Sequence, residues 1–204
     1  MNPYRLYLVT DDQQPIETLQ TVVAEAVEGG VTMVQVREKH GDVRAFIERA
    51  QAIKTVLQGT GVPLIINDRV DVALAVDADG VHLGQSDMPA TLARRLIGPH
   101  KLLGLSVETE RQLSEAQSLP VNYLGLSAIF ATPTKTDLKK EWGLDGLASA
   151  VAQSSLPLVA IGGINAANLQ QIAATGVHGV ALVSAICQAP CACTAAQNLL
   201  RLMS

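Results

Sequence analysis

The chain has 204 residues, of which 48% are hydrophobic, 17% are charged and 3% are aromatic. This length and composition predict one domain, spanning residues 1–204, with a core made mainly of aliphatic side chains. The formal net charge of −4 gives no general attraction to a polyanion, and the sequence has no dense stripe of Lys and Arg. Nucleic acid is therefore not an expected partner.

Two segments bear on membrane association. Near the N-terminus, the charged residues Asp11 and Asp12 follow too soon after the first apolar run for a secretion signal. Residues 171–200 carry no Asp, Glu, Lys or Arg, but Gly, His and Pro residues interrupt them. This pattern favours a buried strand, a loop and the start of a helix over a membrane span. We expect a cytoplasmic protein that does not bind a membrane.

Three cysteines lie close together near the C-terminus: Cys187, Cys191 and Cys193. Their number is odd, and no fourth soft ligand lies at a spacing typical of zinc sites. The pattern favours reduced structural thiols over a disulfide or a metal site.

Short β-branched or aliphatic runs alternate with amphipathic stretches along the whole chain, which predicts parallel βα units and an α/β fold. The predicted strands are Leu6–Thr10, Met33–Arg37, Leu64–Asn67, Gly80–Leu83, Leu102–Ser106, Tyr123–Ser127, Leu158–Ile161 and Gly179–Val183. The clearest predicted helices are Ile16–Glu28, Asp42–Leu57, Thr109–Ala116, Ala167–Ala174 and Thr194–Leu202, and weaker helical segments follow Asn67, Gln85 and Trp142.

Eight such strands can close into a (β/α)8 TIM barrel or form an open, doubly wound sheet. Polar residues follow nearly every predicted strand, from Asp11 after the first strand to Ser184 after the last. An open sheet gathers its site at one switch point, whereas a barrel gathers the loops after all its strands on one face. The distribution of polar residues therefore favours the barrel.

The second predicted strand ends in a cationic segment. Because side chains alternate across a strand, Gln35, Arg37 and Lys39 are expected to lie on one face. Two neighbouring positive charges favour a bound anion between them, and a phosphate or diphosphate is the expected ligand. The alternative is a solvated strand end with Arg37 paired to a nearby carboxylate.

Asp68 and Asp87 end adjacent predicted strands, and neither belongs to a run of charges. Mg2+ commonly takes one or two protein carboxylates and completes its shell with water and phosphate oxygens. The two aspartates therefore indicate a Mg2+ site beside the expected diphosphate. For Asp68, a cap on the helix after Asn67 is an equally good interpretation.

Three loops are candidates for phosphate binding. Residues 131–136 (ATPTKT) offer hydroxyls, backbone N–H groups and one Lys, although such residues are also common in ordinary loops. Residues 161–164 (IGGI) and 183–186 (VSAI) follow the seventh and eighth strands, the recurrent phosphate site of (β/α)8 barrels. For His82, which lies inside a predicted strand, a hydrogen-bonded core imidazole is favoured over a catalytic one.

The segments QVREK, INDRVDVALAVDADGVHLGQSD, GLSVET, TPTK, AIGGIN and VSAI occur in the order found in thiamine-phosphate synthases. The chain resembles that family over essentially its whole length. The resemblance implies a transferase that condenses 4-amino-2-methyl-5-hydroxymethylpyrimidine diphosphate with a thiazole phosphate, or with its 2-carboxy form. The implied products are thiamine phosphate and diphosphate, and a homodimer is also implied.

By position, the resemblance assigns roles to individual residues. The implied Mg2+ ligands are Asp68 and Asp87, and the expected catalytic residues are Arg37, Lys39, Ser106 and Lys135, whose cations would neutralise the leaving diphosphate. The implied contacts of the pyrimidine diphosphate are Gln35, Val36, Arg37, Glu38, Lys39, Asn67, Ser106 and Lys135. Those of the thiazole phosphate are Thr132, Pro133, Thr134, Gly163, Val183 and Ser184.

Three other functions remain open. A thiazole tautomerase is a related barrel in which a histidine stands where this chain has Glu108. An aldolase would use Lys39 or Lys135 as a Schiff-base amine. A non-catalytic sensor of thiamine precursors would bind without turnover, but it has less need of an aspartate pair that stabilises a leaving diphosphate.

Overall fold

The computed structural model describes residues 2–131 and 141–203. Its strands are β1 (Leu6–Val9), β2 (Met33–Val36), β3 (Leu64–Asn67), β4 (Gly80–Leu83), β5 (Leu102–Val107), β6 (Tyr123–Ser127), β7 (Leu158–Ile161) and β8 (Gly179–Leu182). Its helices are α1 (Ile16–Glu28), α2 (Val43–Leu57), α3 (Val70–Ala75), α4 (Ala90–Ile97), α5 (Glu110–Ala116), α6 (Gly143–Gln153), α7 (Leu169–Ala174), α8 (Ser184–Cys187) and α9 (Ala192–Leu202).

The eight strands form a closed parallel barrel in sequence order, so the predicted barrel is confirmed and the open sheet is wrong. Each strand pairs with the next, and β8 returns to pair with β1, where Leu6 lies opposite Val180. In the described part of the chain, a helix follows each strand and covers the outside of the barrel. This arrangement brings the carboxyl ends of all eight strands to one face.

Alternation along each strand divides the buried residues into two layers. In β1, Leu6 and Leu8 belong to the large cluster between the barrel and its helices, whereas Tyr7 and Val9 belong to a smaller cluster inside the barrel. Met33 and Ile65 join the inner cluster from β2 and β3. The inner positions nearest the carboxyl ends therefore define the floor of any site on that face.

Local hydrogen bonds explain where the elements begin and end. The predicted helix starts at Asp42 and Thr109 are N-caps, whose side chains accept from the N–H groups of Ala45 (2.9 Å) and Gln112 (3.2 Å). The strand β2 ends one residue before the predicted end, because the Arg37 N–H donates to Thr10 Oγ1 (3.1 Å).

The three cysteines are free thiols, as expected. Cys187 is buried, and burial raises the pKa of its thiol to about 12. Cys191 is exposed and caps α9, with its Sγ accepting from the Thr194 N–H at 3.5 Å. Among the helices of the described ranges, none is long and apolar enough to cross a membrane.

Gly179 provides a test of how the barrel closes between β1 and β8. A Cβ at this position would overlap the backbone carbonyl of Tyr4, and the neighbouring Val180 N–H donates to Arg5 O at 3.2 Å. Because backbone cannot move aside without disturbing the β1–β8 pairing, we expect Gly179→Ala to lower the free energy of unfolding by about 3 kcal/mol or more. Urea unfolding followed by circular dichroism measures this change.

The matched control is Gly146→Ala in α6, where the new Cβ would lie at ordinary distances from the Trp142 side chain, 3.4 and 3.5 Å. Alanine also has the higher helix propensity, so this variant is expected to unfold at the wild-type midpoint or above it. A wild-type midpoint for Gly179→Ala would show that the close approach to Tyr4 is not required.

Candidate active site

The carboxyl ends of the strands line a cavity of about 1130 Å³. Residues from all eight strand ends contribute to its wall, as the closed topology requires. Ten of the residues predicted from the sequence line it: Gln35, Arg37, Lys39, Asn67, Asp68, Asp87, Ser106, Gly163, Val183 and Ser184. The structure thus brings together side chains that are up to 149 positions apart in the chain, from Gln35 to Ser184.

Val36 and Glu38 belong to the same predicted segment but lie on the opposite face. Val36 is fully buried in the cluster between the barrel and its helices, and neither residue lines the cavity. The Glu38 carboxylate pairs with Arg49 Nε of α2 at 2.8 Å. Burial raises the pKa of Glu38 to about 7, against the opposing effect of Arg49. Thr132, Pro133, Thr134 and Lys135 lie outside the described residues.

Asp68 and Asp87 face each other across the ends of β3 and β4. The Lys39 Nζ donates to Asp68 Oδ2 at 2.5 Å, and Asp87 Oδ2 accepts from the Gly84 N–H at 2.6 Å. Burial, followed by the neighbouring Asp68, raises the pKa of Asp87. The helix α3 has no side-chain cap, so the structure does not show Asp68 in the alternative capping role.

The charges of the lining fit a divalent cation. Its described part carries two cations, Arg37 and Lys39, and three carboxylates, Asp68, Asp87 and Glu108. An anion alone would meet a net negative wall, whereas a cation that enters with it reverses the balance. Among the described residues no group of three or more His, Cys, Asp or Glu side chains forms a metal site. Two carboxylates with water and phosphate oxygens suit Mg2+ rather than a closed all-protein metal site.

The glycine turn after β7 closes another side of the cavity. Gly162 and Gly163 have positive φ values of 103° and 66°, a region that favours glycine. A Cβ at Gly163 would come within 2.7 Å of Ala131 O, so the turn packs directly against the segment after β6. Asn168 Nδ2 donates to Gly163 O at 2.8 Å and holds the turn from α7's N-terminal side. The turn lines the same cavity as Val183 and Ser184.

Three aromatic residues form a part of the site that the sequence did not indicate as functional. His82 Nδ1 lies 3.0 Å from Tyr123 Oη, and His82 Nε2 lies 2.9 Å from Ser106 Oγ. Tyr7 Oη lies 2.9 Å from Tyr123 Oη. The imidazole is hydrogen-bonded, as expected, but it also lines the cavity together with both tyrosines. The alternation of Leu6-Tyr7-Leu8-Val9 was the available signal for Tyr7.

The fold and the site define a (β/α)8-barrel enzyme whose cavity lies at the carboxyl ends of the strands. The family described as thiamine monophosphate synthase matches residues 6–186, and the chain belongs to this family.

Individual relatives agree with that assignment. The chain is 74% identical to a thiamine-phosphate synthase of Vibrio parahaemolyticus over 203 residues, covering 100% of both chains. It is 53% identical to a thiamine-phosphate synthase of Albidiferax ferrireducens, covering 98% of this chain and 91% of the relative. Among solved structures, thiamine phosphate pyrophosphorylase from Pyrococcus furiosus is 36% identical with a TM-score of 0.88, covering 99% and 96% of the two chains.

The buried imidazole predicts a specific response to acid. Burial lowers the pKa of His82 to about 4, below its ordinary value of 6.5, although the Asp68 charge opposes the shift. Between these two pH values the unfolded chain binds a proton that the folded chain does not. The contribution of His82 to stability is therefore complete above pH 6.5 and is lost as the pH falls through about 4, by roughly 3 kcal/mol in total.

Urea unfolding of the wild type and His82→Gln across this pH range measures the effect. Carboxylates titrate in both proteins, so their contribution cancels in the difference between the two unfolding free energies. We expect the unfolding free energy of the wild type to fall relative to that of His82→Gln as the pH falls. A difference that stays constant with pH would contradict the lowered pKa of His82.

Proposed function

We propose that the chain condenses 4-amino-2-methyl-5-hydroxymethylpyrimidine diphosphate with a thiazole phosphate, giving thiamine phosphate and diphosphate. When the 2-carboxy form of the thiazole is the substrate, CO2 is released as well. The observation that carries this proposal is the juxtaposition of the cations Arg37 and Lys39 with the carboxylates Asp68 and Asp87 in one cavity. Such a wall suits a diphosphate that binds together with Mg2+. The names of the relatives support the same reaction.

In the proposed reaction, the bond between the pyrimidine methylene carbon and the diphosphate oxygen breaks, and its electron pair leaves with diphosphate. The lone pair of the thiazole nitrogen then forms the new C–N bond at the methylene carbon. Both steps balance without a side-chain nucleophile. The protein holds the two rings together, which removes much of the entropic cost of their encounter.

Arg37 and Lys39 neutralise the charge that develops on the leaving diphosphate. The contact of Lys39 Nζ with Asp68 Oδ2 at the cavity wall supports this role. Lys135, outside the described residues, is proposed to add a third cation, and Gln35, Asn67 and Ser106 to contact the pyrimidine diphosphate. Asp68 and Asp87 would hold Mg2+, which when bound supplies further positive charge to the diphosphate oxygens.

The opposite side of the cavity is proposed for the thiazole phosphate. Gly163, Val183 and Ser184 line that side, where glycine backbone in the left-handed region allows a phosphate to approach closely. Thr132, Pro133 and Thr134 are proposed to complete it. Val36 and Glu38 would act only through their backbone, because their side chains face the helices. A cytoplasmic location and a homodimer remain predictions.

The direct test is mass-spectrometric detection of thiamine phosphate after the purified protein is mixed with both phosphorylated precursors, with and without Mg2+. We expect product only with the metal. Tight binding of the thiazole phosphate without product would instead support a tautomerase or a sensor. Covalent trapping of a substrate by borohydride would support an aldolase, although the 2.5 Å pairing of Lys39 with Asp68 favours a charged amine over a nucleophilic one.

The proposed metal ligands make a second test. Asp68→Asn and Asp87→Asn keep the side-chain shape but remove the charge, so each should lower turnover at saturating substrates by about tenfold or more. Each should also raise the Mg2+ concentration needed for half-maximal rate. Steady-state rates across a magnesium titration measure both effects.

Asp71→Asn is the matched control, because it removes the same charge three positions further along the chain than Asp68. Its side chain is 62% exposed and pairs with Arg69, and it does not line the cavity. This variant should keep the wild-type magnesium dependence. Unchanged magnesium curves for both Asp68→Asn and Asp87→Asn would rule out the assignment of the metal site.

A further inference from the structure

A continuous chain of hydrogen bonds crosses the inside of the barrel. It begins at Gln35 Nε2, which lies 2.6 Å from Tyr7 Oη. It continues to Tyr123 Oη at 2.9 Å and from there to His82 Nδ1 at 3.0 Å. It ends where His82 Nε2 meets Ser106 Oγ at 2.9 Å. The chain therefore joins two proposed substrate contacts, Gln35 and Ser106, through three residues that have no assigned role.

The first donor fixes the direction of the whole chain. An amide NH2 can only donate, so Tyr7 Oη accepts from Gln35 and has its own proton left for Tyr123. Tyr123 then donates to His82 Nδ1, which must be unprotonated to accept. The imidazole proton is therefore on Nε2. With the Gln35 amide in this orientation, the reverse arrangement would leave the buried Tyr7 hydroxyl without an acceptor among the described residues, which costs about 1–3 kcal/mol.

The protonation states of the residues in this series of hydrogen bonds support this arrangement. Burial raises the pKa values of Tyr7 and Tyr123 above their ordinary value, so both phenols keep their protons. The Tyr123 hydroxyl faces His82 Nδ1 at 3.0 Å and needs an acceptor there, which only a neutral imidazole provides. Tyr7, Tyr123 and His82 therefore each have a single proton to donate, so the donor direction of one hydrogen bond determines that of the next.

Two glycines provide the space in which the rings meet. A Cβ at Gly104 of β5 would overlap both His82 Nδ1 and Tyr123 Cζ. A Cβ at Gly125 of β6 would come within 3.0 Å of His82 Cε1. The rings of His82 and Tyr123 pack with their centroids 5.4 Å apart. The backbone on two adjacent strands thus fixes the positions of the imidazole and the phenol, and not only their hydrogen bonds.

We propose that His82 is a positioning residue, held as the neutral Nε2–H tautomer by Tyr7 and Tyr123, and that it makes Ser106 a hydrogen-bond donor toward the cavity. Because Ser106 Oγ accepts from His82, its own proton is directed to a ligand acceptor, such as a ring nitrogen or a phosphate oxygen. The donor direction of these hydrogen bonds does not depend on the proposed function. The part that concerns the substrate rests on the proposed function.

The opposite direction has a distinct signature. If the Gln35 carbonyl faced Tyr7, every proton would shift, His82 would carry its proton on Nδ1, and Ser106 would donate to His82. Ser106 would then present an acceptor to the ligand. The tautomer of His82 therefore decides between the two directions.

NMR of the uniformly 15N-labelled protein, in the absence of ligand and at neutral pH, reads the tautomer directly. The chain has 4 histidines, and the signal that disappears in His82→Gln belongs to His82. We expect pyrrole-type nitrogen at Nε2 and pyridine-type nitrogen at Nδ1. The reverse assignment, or a mixture of tautomers, would overturn the proposal.

Two amide variants test the action of His82 through Ser106. Glutamine reaches the position of Nε2 and can still donate to Ser106, whereas asparagine reaches only the position of Nδ1. We expect kcat/KM for the pyrimidine diphosphate to fall about tenfold or more in His82→Asn, on the scale of one lost hydrogen bond, and only a few-fold in His82→Gln. Thermal unfolding of both variants at neutral pH checks that they are equally folded.

A double-mutant cycle separates positioning from general support of the fold. In the Ser106→Ala background, His82→Asn should cause no further loss, because its effect passes through the missing hydroxyl. Fully additive losses would overturn the positioning role. If the wild type makes no thiamine phosphate at all, the proposed function fails, whereas the tautomer measurement still decides the direction of the chain.

Discussion

The structure depends on one geometric constraint: every second residue of eight parallel strands points into a closed barrel whose interior is filled by buried side chains up to the cavity at its carboxyl end. A polar side chain at an inner position must therefore find a partner inside the barrel or face the cavity at its carboxyl end. Hydrogen bonds inside the barrel satisfy this requirement for Tyr7, Gln35 and His82. The side chains of Arg37 and Lys39 satisfy it by reaching the cavity. The same alternation that builds the core thus selects the functional side chains.

The sequence predicted the fold well because strand boundaries in this chain coincide with strong local signals. Four of the eight strands match residue for residue, and the others differ by one residue at the carboxyl end. One of these small differences, at the end of β2, arises from a contact between segments, because the Thr10 hydroxyl accepts from the Arg37 N–H. Such a contact joins two strand ends that are 27 positions apart, so no local pattern reveals it.

The site was predicted less completely than the fold. Alternation indicated Gln35, Arg37 and Lys39 as one face, and the structure places all three at the cavity. Tyr7 and Tyr123 were missed because a tyrosine in an apolar run is typical of core, and their contact joins strands that are not neighbours in the barrel. Glu38 is the opposite case, a residue that was predicted as a substrate contact but does not line the cavity. Its side chain pairs with Arg49 on α2, outside the barrel.

The phenol pair also has a mechanical consequence. Ladder hydrogen bonds join each strand to its neighbours around the circumference, but the Tyr7–Tyr123 bond spans the lumen between β1 and β6, which are not adjacent. With His82 and Gln35 it forms a cross-brace, so the barrel cannot flatten into an ellipse without breaking buried polar contacts. Deformation of the barrel is therefore most restricted at this level, and the loops at the rim, where substrates enter and leave, lie outside the braced part.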